Sequence, residues 1–294
     1  MKRVKENFKK NALSSVLLLV LILSSFTAWA GDGNATDDSS DGAKLQKSTT
    51  APPAEEERPT ANLSVSFMSH YIWRGQELSH NSMVIEPSMT IGYKGFTYNM
   101  WGNMDTNRYS GGTKNKWTET DTTISYGKQL GLFKLNGGYI YYALDSVDDS
   151  QEVFFSAGLD TLLSPTITVY REFAHYPSWY ITAAISHSIP VYNEITLNLG
   201  AQASYLISED AAAYPKVDSL CRETGVCTDK FNNFHDGLVS AALNIPVTKY
   251  ITVSPNIYWA FPLSGDASND MKWRSVTQKD DNFVYGGITA SLSF

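Results

Sequence analysis

The sequence predicts an all-β protein, a transmembrane antiparallel up-and-down β-barrel of about 12 strands with both termini in the periplasm. Three observations support this fold class. Apolar and polar residues alternate with a period of two from residue 61 onward, the alternating segments are about 10 to 13 residues long, and short connections alternate with long ones. A soluble β-sandwich would also alternate, but its strands are usually about 5 or 6 residues long.

The composition excludes several other classes of protein. The 294 residues include 13 Phe, 7 Trp and 17 Tyr, which is too aromatic for a disordered chain. The formal net charge is −7, whereas a nucleic-acid-binding protein needs a basic surface. Two cysteines are too few for a scaffold built on disulfide bonds.

The N-terminal segments indicate export. A basic start, an apolar core at 16–23 and the small-residue site Ala28-Trp29-Ala30 are typical of a secretory signal peptide over residues 1–30. Residues 31–60 contain a single large apolar residue, Leu45, so we expect a disordered periplasmic leader. The barrel is then predicted over residues 61–294.

The alternation is clearest in the second half of the chain. From Glu194 to Tyr205 every second residue is apolar or aromatic, and the pattern returns at 251–261 and at 288–294. The chain ends within such a strand on Phe294, which is typical of the signal that outer-membrane assembly machinery reads. The predicted strands are 61–74, 82–93, 95–105, 117–127, 132–144, 151–160, 165–175, 178–189, 194–207, 233–244, 249–262 and 283–294.

The connections are predicted to differ between the two ends of the barrel. Short turns are expected near Lys94, Gln129, Ser164, Tyr192 and Thr248. Long outer loops are expected at 106–116, 208–232 and 263–282.

The two cysteines, Cys221 and Cys227, lie in the longest predicted loop. In an oxidising compartment we expect them to form a disulfide bond, which closes only a short loop. A zinc site is not predicted there, because the chain has no second cysteine pair. No metal site and no cofactor are predicted elsewhere.

The polar parity of the strands predicts which side chains face the lumen. The candidates for lining it are His70, Arg74, Glu86, Asn99, Asp105, Glu119, Asp121, Glu152 and Gln202. One interpretation is structural, with Arg74 paired to Glu86, Glu119 or Asp121 inside the barrel. The other is a hydrophilic channel whose acidic lining disfavours anions, and the two interpretations are compatible.

The same parity places Arg171 on the lipid side. This is unfavourable, because an arginine at mid-bilayer costs about 2–4 kcal/mol. Either Arg171 reaches the outer rim or a bulge shifts the register there. An outer-membrane lipid-modifying enzyme is a further alternative. We do not predict an enzyme, because neither G-x-S-x-G nor H-E-x-x-H occurs. His80-Asn81-Ser82 has hydrolase residue types, but adjacent residues point to opposite faces of a strand and His80 lies in a predicted outer loop.

Several motifs together resemble a known family. These are Tyr71-x-Trp73-Arg74-Gly75, the pair Trp101-Gly102, Glu119-x-Asp121, the segment Gly138–Tyr142, and the acidic-start strand from Glu152 to Leu159. The sequence over 61–294 resembles the TorF-like porins of proteobacteria, a family without an established substrate. The resemblance implies an outer-membrane barrel and, for Arg74, Glu119 and Asp121, a structural network in the lumen.

The predicted function is therefore a passive channel for small hydrophilic solutes in the outer membrane of a Gram-negative bacterium. The expected partners are outer-membrane lipids and the barrel-assembly machinery, with no nucleic acid. The alternative is a closed structural or surface-interaction barrel that acts through its outer loops.

Overall fold

The computed structural model describes residues 58–109 and 114–294. The predicted signal peptide and all but the end of the predicted leader lie outside the described residues. The described chain forms one closed barrel, a small hairpin and two short helices. Neither of these helices is long and apolar enough to cross a membrane.

Twelve antiparallel strands close the barrel, and this confirms the predicted all-β class and the antiparallel barrel of about 12 strands. With the two strands of a separate small hairpin, the fourteen strands of the described residues are β1 Thr60–Met68, β2 Ile72–Trp73, β3 Gln76–Glu77, β4 Val84–Tyr93, β5 Phe96–Asn107, β6 Lys114–Leu130, β7 Phe133–Leu144, β8 Ser150–Leu159, β9 Thr166–Glu172, β10 Ser178–Tyr192, β11 Ile195–Ser208, β12 Asn232–Pro246, β13 Ile251–Pro262 and β14 Phe283–Ser293. The helices are α1 Ser219–Thr224 and α2 Gly265–Arg274. Strands β2 and β3 pair only with each other and stand outside the barrel sheet.

Closure depends on the pairing of the first and last strands. β1 pairs with β14 from Asn62 opposite Ser293 to Met68 opposite Gly287. The backbone of Phe294 extends this contact, because its N–H donates to the Ala61 carbonyl at 3.0 Å and its carbonyl accepts from the Ala61 N–H at 2.8 Å. A closed sheet has no unpaired edge. In a hydrocarbon environment every backbone N–H and C=O group must be paired within the protein, and closure of the barrel achieves this.

The two faces of the barrel differ in polarity as the alternation predicts. Large apolar side chains on the outer face stay exposed, among them Phe155 at 56 %, Ile167 at 58 % and Ile257 at 54 %. Polar side chains on the inner face are buried, among them Thr168 at 7 % and Ser204 at 1 %. This distribution is typical of a barrel whose outer surface contacts lipid.

The two ends of the barrel also differ. At one end, which we call the turn end, the strands are joined by short connections, four of which carry residues with positive φ: Lys94 with Gly95, Gly131, Ser164 and Asn193. The first and last strands begin and finish at this end. The other end, the loop end, carries the segments 69–83, 209–231 and 263–282, and helices α1 and α2.

Strand boundaries agree with the sequence prediction to within about three residues everywhere except in the first strand. That strand was expected to run from 61 to 74, but it ends at Met68. Arg74 and Gly75 both have positive φ, 47° and 74°, which reverses the chain direction. Alternation persists through Tyr71 and Trp73, so the pattern alone did not reveal this reversal.

The longest loop contains the predicted disulfide bond between Cys221 and Cys227, which the structure confirms. Cys221 is buried in α1, and its N–H donates to the side chain of Asp218, the residue that caps the helix N-terminus, at 2.8 Å.

Candidate functional site

The lumen is crossed by a segment that the strand prediction had assigned to the barrel wall. Residues 69–83, here called the inward hairpin, leave β1, turn back at Arg74-Gly75 and rejoin the barrel at β4. The turn packs tightly, since a Cβ on Gly75 would lie 2.7 Å from Cε of Met271 and 3.0 Å from Cβ of Asp236. The tip of the hairpin therefore contacts both α2 and the barrel wall at β12.

Arg74 anchors the tip of the hairpin. Its Nη2 lies 2.7 Å from Oε2 of Glu152 on β8, and the two side chains are 9 % and 2 % exposed. Oε2 of Glu152 also accepts from the hydroxyl of Tyr142 at 2.9 Å. The guanidinium lies 4.1 Å from the ring centroid of Tyr180 and 4.5 Å from that of Trp73. Packing against rings compensates in part for the loss of hydration of the buried cation.

This placement corrects the prediction for Arg74. Sequence parity placed Arg74 on the first strand and gave Glu86, Glu119 or Asp121 as its partners. The structure instead places it on a hairpin tip and pairs it with Glu152. The predicted partners lie on β4 and β6, whereas the hairpin carries Arg74 across the lumen toward β8.

A second contact joins the hairpin to the acidic strand β6. The hydroxyl of Tyr71 donates to Oε2 of Glu119 at 2.9 Å, and the Tyr71 ring lies 5.5 Å from that of Trp101. Asp121 is two residues further along and also faces inward. Its Oδ1 is buried without a hydrogen-bond partner among the described residues. Glu119 and Asp121 thus place two carboxylates side by side on the inner face.

The return arm of the hairpin is held by the loops at the loop end. Nε2 of Gln76 donates to the hydroxyl of Tyr214 at 2.9 Å. The face of the Tyr214 ring packs against Arg274 of α2, whose Cζ lies 3.6 Å from the ring centroid. The hairpin, the segment 209–231 and α2 therefore form one connected assembly over the mouth of the barrel.

A buried chain of charges fixes α2 to the wall. Nε2 of His235 lies 3.0 Å from Oδ2 of Asp270, and Nε of Arg274 donates to Oδ1 of Asp270 at 3.0 Å. Nδ1 of His235 lies 2.9 Å from Oδ1 of Asp236. Burial acts to raise the pKa of Asp270, but Arg274 and His235 outweigh it and hold that pKa below its usual value. Asp270 is therefore ionised at neutral pH.

Open space remains on both sides of the hairpin. A cavity of about 480 Å³ lies at the loop end and is lined by residues that include Tyr71, Arg74, Arg108, Glu119 and Glu152. Two smaller cavities, of about 240 and 230 Å³, lie against the hairpin and the inner wall. Charged side chains are among the lining residues of all three cavities, which are large enough to hold water.

The other predicted lumen residues are distributed as follows. Glu86 lines the 230 Å³ cavity and Gln202 lines the 240 Å³ cavity. The Asn99 amide donates to Ser88, Thr90 and the Met89 carbonyl on the neighbouring strand, at 2.9, 2.8 and 3.1 Å. Asp105 accepts from the Ser82 hydroxyl and from the Asn107 N–H near the loop end.

His70 departs from its predicted position. Parity placed it on the wall of the first strand, but it lies on the entering arm of the inward hairpin, beyond the end of β1. The reason is the same chain reversal that moves Arg74.

The conflict over Arg171 is resolved at the rim. The pairing of β9 with β10 has no register shift, so Arg171 points outward as parity predicts. Its Nη2 lies 2.6 Å from Oε2 of Glu209, and its guanidinium packs 5.2 Å from the ring of Trp179. The position next to the last residue of β9 places the charge at the loop end rather than at mid-barrel.

Sequence reasoning missed several residues of this network. Gln76, Tyr142, Asp236, Asp270 and Arg274 carry contacts that no strand pattern indicates. The spacing of Asp270 and Arg274, four residues apart in a segment without alternation, was an available signal for a helix with an internal ion pair.

Comparison with one solved porin structure supports the fold. The chain is similar to a solved NanC porin structure with a TM-score of 0.50 at 11 % identity, over 79 % of this chain and 98 % of that one. A second solved structure, OccAB1 of Acinetobacter baumannii, matches with a TM-score of 0.36 at 9 % identity, over 76 % and 70 % of the two chains. No family model and no curated protein matches the chain.

The likeness to the NanC porin shows a porin-like barrel. It does not test the more specific resemblance to TorF-like porins, which stays a resemblance. A porin-like fold is consistent with the prediction that the chain is not an enzyme, which stays a prediction.

Proposed function

We propose that the protein is a passive channel for small hydrophilic solutes in the outer membrane of a Gram-negative bacterium, with a lumen that favours cations. The observation that carries this proposal is the polar inner face, where Glu86, Glu119, Asp121 and Glu152 face the lumen and, of these four carboxylates, Glu152 is paired with the anchored Arg74. A wall with excess negative charge lowers the energy of a cation in the lumen and raises that of an anion.

The proposed orientation follows from the two ends of the barrel. Short turns and both ends of the sheet would lie in the periplasm, and the loop end would face outward. The predicted leader 31–60 then begins on the periplasmic side, after removal of a signal peptide. The outer apolar surface contacts outer-membrane lipids, and Phe294 at the end of β14 offers a recognition signal to the barrel-assembly machinery.

The width of the pathway would be set by the inward hairpin. It separates the 480 Å³ cavity from the two smaller ones, and Arg74 and Gln76 hold it in place. Solutes would pass between the hairpin and the wall, so small conductance is expected compared with an unobstructed barrel of this size.

The test is single-channel recording of the mature protein, refolded in detergent and inserted into a planar bilayer. We expect discrete current steps that scale with salt concentration, and a reversal potential that shows cation preference under a KCl gradient. Folding is checked first by heat-modifiable gel mobility. A folded protein that shows no unitary current would overturn the proposal.

The inward hairpin also favours a second candidate, a closed barrel that acts through its outer loops. Both ends of the hairpin are tied to barrel strands, and its tip is held by the buried pair of Arg74 and Glu152. A closed barrel would stay silent in bilayers even when the hairpin anchor is removed. A channel would conduct before removal and more strongly after it.

A further inference from the structure

The base of the inward hairpin carries a cluster of side chains that the channel proposal does not use. One ligand atom from each of His70, Glu77 and His80 lies within 4.8 Å of the others. Oε1 of Glu77 lies 2.6 Å from Nδ1 of His80 and 3.9 Å from Nε2 of His70. We propose that these three residues form a binding site for a divalent transition metal ion of the Zn²⁺ type.

The donor set fits such an ion. Two imidazoles and one carboxylate are typical of sites for Zn²⁺ and neighbouring transition metals, whereas Ca²⁺ and Mg²⁺ prefer oxygen ligands alone. Ligand bonds of about 2.0–2.1 Å in a tetrahedral site place the ligand atoms about 3.3 Å apart. The distances of 2.6 and 3.9 Å bracket this value and the ligand atoms of the two histidines lie at most 4.8 Å apart, so side-chain shifts of up to about 1.5 Å would suffice.

The surroundings orient the three ligands. Nδ1 of His70 lies 3.2 Å from the Ser69 hydroxyl, which leaves Nε2 directed toward Glu77. The second oxygen of Glu77, Oε2, accepts from the Thr277 hydroxyl at 3.0 Å, which leaves Oε1 for the ion. Hydrogen bonds to the outer atoms of ligands are typical of metal sites, because they fix ring and carboxylate orientation.

Burial and access are both compatible with binding. The side chain of Glu77 is 2 % exposed, whereas those of His70 and His80 are each 26 % exposed. An ion can therefore enter from the loop end between the two imidazoles and meet a carboxylate shielded from water. Metal binding at Nδ1 of His80 requires the proton in the present contact with Glu77 to move to Nε2 or to leave to solvent.

The site spans the two arms of the hairpin. His70 lies on the entering arm, and Glu77 and His80 lie on the returning arm. A bound ion would therefore tie together the arms at the loop end of the barrel. The proposal does not depend on the channel function, since metal binding can be measured whether or not the barrel conducts.

The test uses tag-free mature protein, refolded in detergent and stripped of metal with a chelator. Calorimetric titration with Zn²⁺ measures affinity and stoichiometry, and the visible absorption of Co²⁺ reports the ligand type and coordination number. We expect a single Zn²⁺ ion per chain and a Co²⁺ spectrum of a low-coordinate site with imidazole ligands.

Three variants distinguish a built site from weak surface binding. His70→Ala and His80→Ala should each weaken Zn²⁺ binding at least about ten-fold. Thr277→Val removes a hydrogen bond that orients Glu77 and should weaken Zn²⁺ binding about ten-fold. His175→Ala is the matched control, because His175 lies at the same end, with its Nδ1 2.6 Å from the Asp149 carbonyl and outside the cluster. Heat-modifiable mobility confirms that each variant is folded.

Three results would overturn the proposal. One is wild-type protein that is folded by gel mobility but binds no Zn²⁺. The second is binding that persists in the double variant of His70 and His80, and the third is binding that is lost equally in His175→Ala, because in both cases the ion would bind elsewhere.

Discussion

Replacement of Arg74 by alanine is the most direct perturbation of the lumen. The change removes the cation from a pair whose atoms lie 2.7 Å apart and leaves Glu152 buried at 2 % exposure. Among the described residues, the hydroxyl of Tyr142, at 2.9 Å, is the one donor that would remain on that carboxylate oxygen. The variant therefore tests whether the hairpin tip is held chiefly by this pair.

The expected magnitude follows from the burial. Removal of one partner from a buried ion pair costs about 3–5 kcal/mol, because the other charge stays desolvated. The same substitution removes the contacts of the guanidinium with the rings of Tyr180 and Trp73. Their energy is partly included in the figure of about 3–5 kcal/mol and is not added to it in full. At about 1.4 kcal/mol per factor of ten, a loss of about 3 kcal/mol raises the population of undocked hairpin about a hundred-fold.

The assay combines stability with conductance. We expect Arg74→Ala to lose its folded, heat-modifiable gel mobility at a lower temperature and to show larger or more frequent current steps than the wild type. Arg108→Ala is the control, since Arg108 pairs with Asp145 at 3.1 Å but both side chains are partly exposed, at 31 % and 26 %. Such a pair contributes about 0–1 kcal/mol.

A double-mutant cycle with Glu152→Ala isolates the pair itself. A coupling energy below about 0.5 kcal/mol would refute the argument that the buried pair anchors the tip. Unchanged current steps in a destabilised but folded Arg74→Ala protein would refute the argument that the hairpin limits the pathway.

Three further predictions concern the wall, the loop and the covering helix. Neutralisation of the lumen wall by Glu119→Gln and Asp121→Asn should reduce cation preference, and an unchanged reversal potential would show that these carboxylates do not face the permeating ions. Replacement of Cys221 and Cys227 by serine should loosen their loop by about 2 kcal/mol in the chain-entropy account. We expect a protease to cleave that loop faster while the melting temperature of the barrel stays unchanged. A large drop in barrel stability would contradict this prediction. The pKa of Asp270 is lower in the folded protein than in the unfolded chain, so the folded state binds fewer protons at this carboxyl group. The stability that ionised Asp270 contributes is therefore lost as the pH falls below about 4. Hydrogen exchange in α2, corrected for intrinsic rates, should show less protection in acid, and Asp270→Asn should abolish that dependence.

The amino-acid sequence by itself determined the architecture of the wall. A period of two specifies which face of each strand contacts lipid, and a shift of one residue would turn every apolar side chain inward, so the register is strongly constrained. Twelve strands, the boundaries of all of them except the first, and the outward direction of Arg171 followed from that pattern. The disulfide bond followed from two cysteines in one predicted loop of a chain that was expected to be exported.

Only the tertiary structure decided what fills the lumen. The alternation continues through Tyr71 and Trp73, so nothing in the period distinguishes a longer strand from a hairpin that folds inward. The partner of Arg74 is 78 residues away in the chain, and the choice of Glu152 depends on how far the hairpin reaches across the barrel. Burial makes such contacts strong, but their identity comes from three-dimensional closure, which local patterns do not encode.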